Sequence, residues 1–107
     1  MIDLLDILAQ YDPSHCVLLA DYYHVLVDGD LVPATNESVQ ACIEAACDER
    51  GWACNAIEDD QAADGGFWAS VWENVAEPSW VEREHGQTEA EALIPAYTEA
   101  LQTTGAV

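Results

Sequence analysis

The residues best suited to chemistry in this chain are acids, and they are densest in the stretch IEDDQAADGG, from Ile57 to Gly66. Three acids stand side by side there, a fourth follows four positions later, and no lysine or arginine lies within six residues on either side. The whole chain has 21 acids against two arginines, which gives a formal net charge of −19 at pH 7. Carboxylates can bind cations, transfer protons or pair with basic groups of another molecule. The spacing of the acids and their surroundings decide among these roles.

The spacing of the candidate metal ligands argues against a metal site. Zinc sites usually contain closely spaced cysteine pairs, whereas Cys42 and Cys47 are five positions apart and share the apolar stripe of a predicted helix. EF-hand loops place acids at alternate positions and end in a glutamate, a pattern that neither DGD nor EDDQAADGG supplies. The alternative is a zinc site that uses His15, His24 or His85. We expect buried thiols, solvated acidic loops, and no metal or cofactor.

No arrangement typical of catalysis is present in the sequence. It contains no nucleophile elbow, no Gly-rich phosphate loop and no recognisable Cys–His pair, and the adjacency of Glu84 and His85 does not by itself make them face one another. We therefore expect no enzymatic activity. Direct binding to nucleic acid is excluded by charge, because phosphate contacts require lysine or arginine.

The composition predicts one folded domain over residues 1–107. Half of the residues are apolar, and this half includes four tryptophans and four tyrosines. Disordered acidic segments are poor in aromatic residues, so this chain should fold despite its charge. Its apolar runs are too short to span a membrane, and the start MIDLLDILAQ lacks the basic region of a secretion signal. We expect a cytoplasmic protein whose cysteines are reduced.

The pattern of the first third of the chain predicts one helix and leaves the next segment open. Residues 2–10 read as a short amphipathic helix. For residues 13–34 two interpretations compete. Asp12 followed by Pro13 is typical of a helix start, and such a helix would bury Cys16, Leu19, Ala20 and Tyr23. Alternatively, the run VLVDGDLV forms a hairpin that turns at Asp28–Gly29.

The middle of the chain predicts a helix followed by strands. From Glu37 to Arg50 the apolar residues recur at helical spacing, Asn36 or Ser38 can cap the start, and Gly51 follows the end. The stripe consists of Val39, Cys42, Ile43, Ala46 and Cys47. WACNAI, FWASVWENV and SWVERE read as strands, with EDDQAADGG as a loop. In the second strand, Phe67, Ala69, Val71 and Val75 alternate with Trp68, Ser70, Trp72 and Asn74.

A final helix completes the predicted fold. It begins at Thr88, which forms a capping box with Glu91, and it should be kinked at Pro95 or restart there. Its buried stripe consists of Ala90, Leu93, Ile94, Tyr97 and Leu101. Residues 103–107, TTGAV, are expected to be a frayed tail. The order of elements predicts an α+β fold with two layers, in which a small antiparallel sheet of about three or more strands is packed by helices on one face.

The small size, the lack of lysine and the acids spread over the whole chain resemble the acidic inhibitors of phages and mobile elements. These include anti-CRISPR and anti-restriction DNA mimics, and the acidic immunity proteins that block basic nuclease toxins are similar in kind. Separately, FWASVWENV and EREHGQTEAEALIPAYTEAL are similar in layout to the closing half of small phage α/β-sandwich proteins, with a strand, Gly-x-Thr and an alanine-rich helix. The first resemblance implies an inhibitor of a nucleic-acid-handling protein, and neither carries over a functional residue.

Charge and resemblance together lead to one functional expectation. We expect an acidic, non-enzymatic inhibitor whose partner is a basic protein, such as a nuclease or a CRISPR-type effector subunit, with Trp68, Trp72, Trp80, Tyr22 and Tyr23 as possible interface anchors if exposed. The predicted contact residues are the clustered acids Asp28, Asp30, Glu58, Asp59, Asp60, Asp64, Glu82 and Glu84. The alternative is a phage or host accessory protein whose acidity keeps it hydrated in high salt.

Overall fold

The computed structural model describes residues 1–106 and assigns three helices and six strands to them. In chain order they are α1 (Ile2–Tyr11), β1 (Cys16–Leu19), β2 (Tyr22–Val27), β3 (Asp30–Pro33), α2 (Asn36–Arg50), β4 (Trp52–Glu58), β5 (Phe67–Glu73), β6 (Val81–Gly86) and α3 (Glu89–Thr104). The predicted α+β class is confirmed. The strands form two antiparallel sheets, an N-terminal sheet in the order β1-β2-β3 and a C-terminal sheet in the order β4-β5-β6. None of the described helices is long and apolar enough to cross a membrane.

The segment that the sequence left open forms the N-terminal sheet, so the hairpin interpretation is confirmed and the helix starting at Pro13 is wrong. Asp28 and Gly29 join β2 to β3, and both have positive φ angles, of 51° and 85°. Such turns suit the twist of a hairpin. Asp12 does not start a helix, because its backbone N–H ends α1 by donating to the Leu8 carbonyl at 2.7 Å.

Helix α2 has the predicted stripe and the predicted end, but a different start. Its cap is Thr35, whose hydroxyl accepts the backbone N–H of Ser38 at 3.1 Å, while the Ser38 hydroxyl accepts that of Thr35 at 2.7 Å. Asn36 instead serves the other long helix, because its side-chain oxygen accepts the backbone N–H of Ala90 at 2.9 Å. Gly51 ends α2 at a φ of 75°.

Helix α3 lies at the centre of the core and packs against α1, α2 and the C-terminal sheet. It runs through Pro95 as one element, so the alternative of a restart there is wrong. The last turn of α3 includes Thr103 and Thr104, which were expected in the frayed tail. The last residue of that predicted tail, residue 107, lies outside the described residues. The thinnest dimension of the molecule is 21 Å, which suits one layer of helices on one layer of sheet.

Contact between α3 and β6 is close enough to require glycine at position 86. A Cβ atom there would lie 2.5 Å from the Ala92 backbone nitrogen and 2.5 Å from the Glu91 carbonyl carbon. Neither backbone atom can move without shifting the helix. Gly86 therefore sets the distance between α3 and the edge of the C-terminal sheet.

One buried carboxylate joins the helices to the N-terminal sheet. Asp12 is 2% exposed and accepts hydrogen bonds from the Tyr97 hydroxyl of α3 and, at 2.8 Å, from the Ser14 hydroxyl. Arg50 of α2 donates to the Tyr97 hydroxyl at 3.2 Å, and the His15 Nδ1 atom lies 3.0 Å from Asp12. Burial would raise the pKa of Asp12, but the hydrogen bonds from Tyr97, His15 and Ser14 outweigh it and lower that pKa.

Replacing Asp12 should destabilise the fold far more than replacing an exposed acid. Asp12→Ala leaves the buried Tyr97 hydroxyl without its acceptor, and we expect a loss of about 2–4 kcal/mol in the free energy of unfolding. Glu44→Gln is the matched control, because it removes a like-charge neighbour of Asp48 on α2 and should be neutral or slightly stabilising. Urea unfolding at neutral pH measures both, and equal effects in the two variants would contradict the role of Asp12.

The same carboxylate should contribute to acid unfolding. Because its pKa is lowered in the fold, its contribution is present above the ordinary value of 3.8 and is lost as the pH falls through the lower folded value. Asp12→Asn should therefore lose less stability than the wild type over this acid range. Urea unfolding measured across the range tests this, and identical pH dependence in the two proteins would refute it.

Adding a methyl group at position 86 should be costly. Gly86→Ala places its Cβ against helix backbone, and we expect a loss of at least about 3 kcal/mol. Gly29→Ala is a useful comparison, because a Cβ there meets no atom within 4 Å and the φ of 85° is the only obstacle; its cost should be about 1 kcal/mol. Thermal unfolding of both variants measures the two losses of stability. Equal losses would show that α3 can shift to make room for the methyl group.

Candidate functional site

The predicted contact acids divide into exposed and half-buried groups. Five are exposed, namely Asp28, Asp30, Glu58, Asp60 and Asp64. Three are half-buried, namely Asp59, Glu82 and Glu84. The structure places Asp28 and Asp30 at the β2–β3 turn of the N-terminal sheet, whereas residues 58–64 form the end of β4 and the loop after it in the C-terminal sheet. The exposed acids therefore cluster at turns of two separate sheets, whereas Glu82 and Glu84 lie within strand β6.

Asp59 orders the acidic loop. One carboxylate oxygen accepts the backbone N–H groups of Gln61 and Ala62, at 3.1 and 3.2 Å. The other accepts the Trp68 indole N–H at 2.9 Å and lies 3.3 Å from the His85 Nε2 atom. Its side chain is only 13% exposed. Asp59 therefore holds the loop in shape, while Glu58, Asp60 and Asp64 face solvent.

Glu82 and Glu84 point towards the helices. In the register of the C-terminal sheet, Glu82 lies opposite Val71 and Glu84 lies opposite Ala69, and Val71 and Ala69 are fully buried. Residues directly opposite one another in an antiparallel pair share a face, so both glutamates lie on the helix side. Glu82 accepts a hydrogen bond from the Thr103 hydroxyl of α3 at 2.6 Å. Glu82 and Glu84 therefore lie at the edge of the contact between α3 and β6.

Within residues 1–106, neither arginine forms a salt bridge with a carboxylate. The Arg50 guanidinium lies over the Trp52 ring, 5.3 Å from its centroid. That of Arg83 lies over the Trp68 ring at 4.7 Å. Both cations contact the faces of aromatic rings, so the exposed acids have no arginine partner within the described chain.

The strands place no acid of their own on the faces of the two sheets that are turned away from the helices; we call these the open faces. By strand alternation, the open face of the N-terminal sheet consists of Val17, Leu19, Tyr22, His24, Leu26, Leu31 and Pro33. That of the C-terminal sheet consists of Ala53, Asn55, Ile57, Trp68, Ser70, Trp72, Val81, Arg83 and His85. None of these residues is an acid and none is fully buried. The strands of both sheets therefore carry their acids on the helix side and leave the open faces largely apolar.

The expected aromatic anchors lie in three different settings. Trp68, Trp72 and Tyr22 are on the open faces, and Tyr22 is 72% exposed. Trp80 packs edge-on against the Trp52 ring, with centroids 5.1 Å apart, and belongs to the core. Tyr23 is half-buried on the helix side of the N-terminal sheet. Tyr22 is therefore available to a partner, whereas Trp68 and Trp72 are half-buried and the Trp68 ring is covered by Arg83.

A groove that the sequence did not predict lies between α1 and one end of the N-terminal sheet, where Tyr22 and Pro33 of the open face also reach it. We call it the N-terminal groove, and its volume is about 410 Å³. It is lined by Ile2, Leu5, Asp6, Leu18, Asp21, Tyr22, Tyr23, Pro33 and Ala34. Most of its walls come from residues 18–34, whose secondary structure the sequence left open. The only early signal was the density of apolar residues between Val17 and Tyr23.

Cys16, Cys42 and Cys47 are buried in the core, and Cys54 is half-buried against it. Cys42 and Cys47 are 1% exposed, which confirms the prediction that they pack inside. Burial raises the pKa of Cys16 to about 11 and that of Cys42 to about 12, so both are protonated thiols at neutral pH and poor nucleophiles. Over residues 1–106, no group of three or more His, Cys, Asp or Glu side chains is arranged to hold a metal ion.

Comparison with known proteins gives no relative: the chain matches no protein-family model, and no curated protein or solved structure shows significant similarity to it.

Proposed function

We propose that this protein is a non-enzymatic acidic inhibitor that binds the basic, nucleic-acid-binding surface of a nuclease or bacterial defence effector, as anti-CRISPR and DNA-mimic proteins do. The observation that carries the proposal is the set of exposed acids without arginine partners. A net charge of about 2–8 in magnitude is enough for the solubility of a small domain, whereas this chain carries −19. The excess charge lowers the stability of the free protein and is neutralised when a cationic surface binds.

The exposed acids are divided between contact and steering. We assign direct contact to Asp28, Asp30, Glu58, Asp60 and Asp64, which face solvent at two turns. Their carboxylates pair with lysine and arginine side chains that otherwise hold phosphate. Asp59 acts indirectly by shaping the loop, as its hydrogen bonds to Trp68 and the loop backbone indicate.

Glu82 and Glu84 contribute to the negative potential from the helix side of β6, where they are half-buried. Together with the acids of α2 and α3 they act at a distance, because an extended field of one sign accelerates encounter with a basic partner. Such steering weakens as salt screens the charges. The proposed complex should therefore form quickly at low salt and loosen as salt rises.

The first experiment is capture of a partner that DNA displaces. The tagged protein is incubated with bacterial lysate at low salt, and bound proteins are eluted with duplex DNA and identified by mass spectrometry. We expect a nuclease or effector subunit in the DNA eluate, since DNA and this protein would compete for one surface. An eluate without any nucleic-acid-binding protein, together with stability that rises steeply in molar salt, would favour the high-salt accessory protein instead.

The second experiment tests the acidic loop with a matched control. The triple variant Glu58→Gln, Asp60→Asn and Asp64→Asn leaves Asp59 in place, and it should weaken binding to the captured partner by about tenfold or more. The control variant Glu37→Gln, Glu44→Gln and Asp48→Asn removes the same charge from exposed positions on α2 and should have a much smaller effect. Binding is measured by surface plasmon resonance, and equal losses in both variants would remove the loop from the proposed interface.

A further inference from the structure

We propose that the N-terminal groove binds a short segment of the partner in which a bulky apolar side chain is flanked by lysine or arginine. The basic character of the segment rests on the proposed function, whereas the apolar anchor rests on the groove itself. Ile2, Leu18 and Tyr22 line the groove and are 70%, 56% and 72% exposed. Contiguous exposed apolar surface commonly marks an interaction site.

The groove exists because the helix layer does not cover the whole N-terminal sheet. Leu18 and Tyr23 lie opposite one another. Each is two positions along its strand from a buried residue, Cys16 and Val25 respectively, and so lies on the same face of the sheet. They therefore face the helix side of the sheet. Helix α1 covers Cys16 through Leu5, whose carbonyl accepts the thiol at 3.9 Å, but it leaves Leu18 exposed. An apolar side chain from another molecule can complete the packing there.

The charge of the groove selects the occupant. The charged residues that line it are Asp6 and Asp21, and no basic residue lies among them. Within residues 1–106 neither acid forms a salt bridge. A second copy of this chain would bring another −19 charge to the same place, and nucleic acid or anionic lipid would be repelled in the same way. A cationic polypeptide is attracted, and its apolar side chain fills the groove.

The test uses three labelled peptides and fluorescence anisotropy with the full chain. One peptide has leucine and lysine at amphipathic helical spacing, one replaces each lysine with glutamate, and one keeps the lysines but replaces each leucine with serine. We expect the leucine–lysine peptide to bind at least about tenfold more tightly than either of the others, since both the apolar anchor and the positive charge are needed. Equal binding of the leucine–lysine and serine–lysine peptides would overturn the groove proposal.

Variants of the protein locate the binding. Leu18→Ser and Tyr22→Ala should each weaken the binding of the leucine–lysine peptide by about tenfold. Asp21→Asn should reduce both the affinity for this peptide and the salt dependence of its binding. Leu31→Ser is the matched control, because Leu31 is an exposed leucine on the open face of the same sheet that does not line the groove. Equal losses with Leu31→Ser, or none with the groove variants, would overturn the proposal. So would a dimer in sedimentation that Tyr22→Ala dissociates, since the occupant would then be a second copy.

The two proposals fail in different ways. If no DNA-displaceable partner is captured but the peptide binds and responds to Leu18→Ser, the proposed function fails and the groove remains a binding site for basic apolar segments. If a partner is captured and responds to the acidic-loop variant, but the peptide fails to bind, the groove proposal fails and the proposed function stands.

Discussion

The fold depends on the hydrogen bonds of Asp12, the one buried acid among residues 1–106. A buried carboxylate needs hydrogen-bond donors around it, because an unpaired buried charge is very costly, and this chain has only two arginines to supply them. Asp12 meets this condition through the Tyr97 and Ser14 hydroxyls and the His15 ring. Arg50 takes part by donating to the Tyr97 hydroxyl. These contacts tie the end of α1 and the start of β1 to both longer helices.

The strands of the two sheets keep their acids off the faces that are turned away from the helices. The two arginines lie over tryptophan rings instead of next to acids, and the residues of the open sheet faces include no acid. Acids occupy turns, helix surfaces and the helix side of strand edges. This arrangement leaves the molecule with two kinds of surface, one strongly anionic and one that is largely apolar and has no acid among its strand residues. A partner that is both basic and apolar can use both.

Sequence patterns predicted those helices and strands in which the spacing of apolar residues matches the face that is buried. The stripe of α2 is buried as expected, because its thiols and alkyl groups recur at helical spacing and nothing else competes for them. The strand containing Ala69 and Val71 was predicted with these two residues on one face, since alternation divides a strand into two faces. Val75, placed on the same face, lies beyond the end of β5 and is exposed. The segment around Pro13 was different, because Asp-Pro is compatible with a helix start and with a helix end.

The sequence by itself determined the charge, the α+β class and most of the helices and strands, because these follow from composition and short-range periodicity. Only the tertiary structure decided which acids are free. Asp59 and Asp60 are neighbours in one acidic run, yet Asp59 is engaged by Trp68 whereas Asp60 faces solvent. The tertiary structure also created the N-terminal groove, because that groove depends on how far α1 extends over a sheet formed elsewhere in the chain. Such facts depend on contacts between distant residues, which no local pattern encodes.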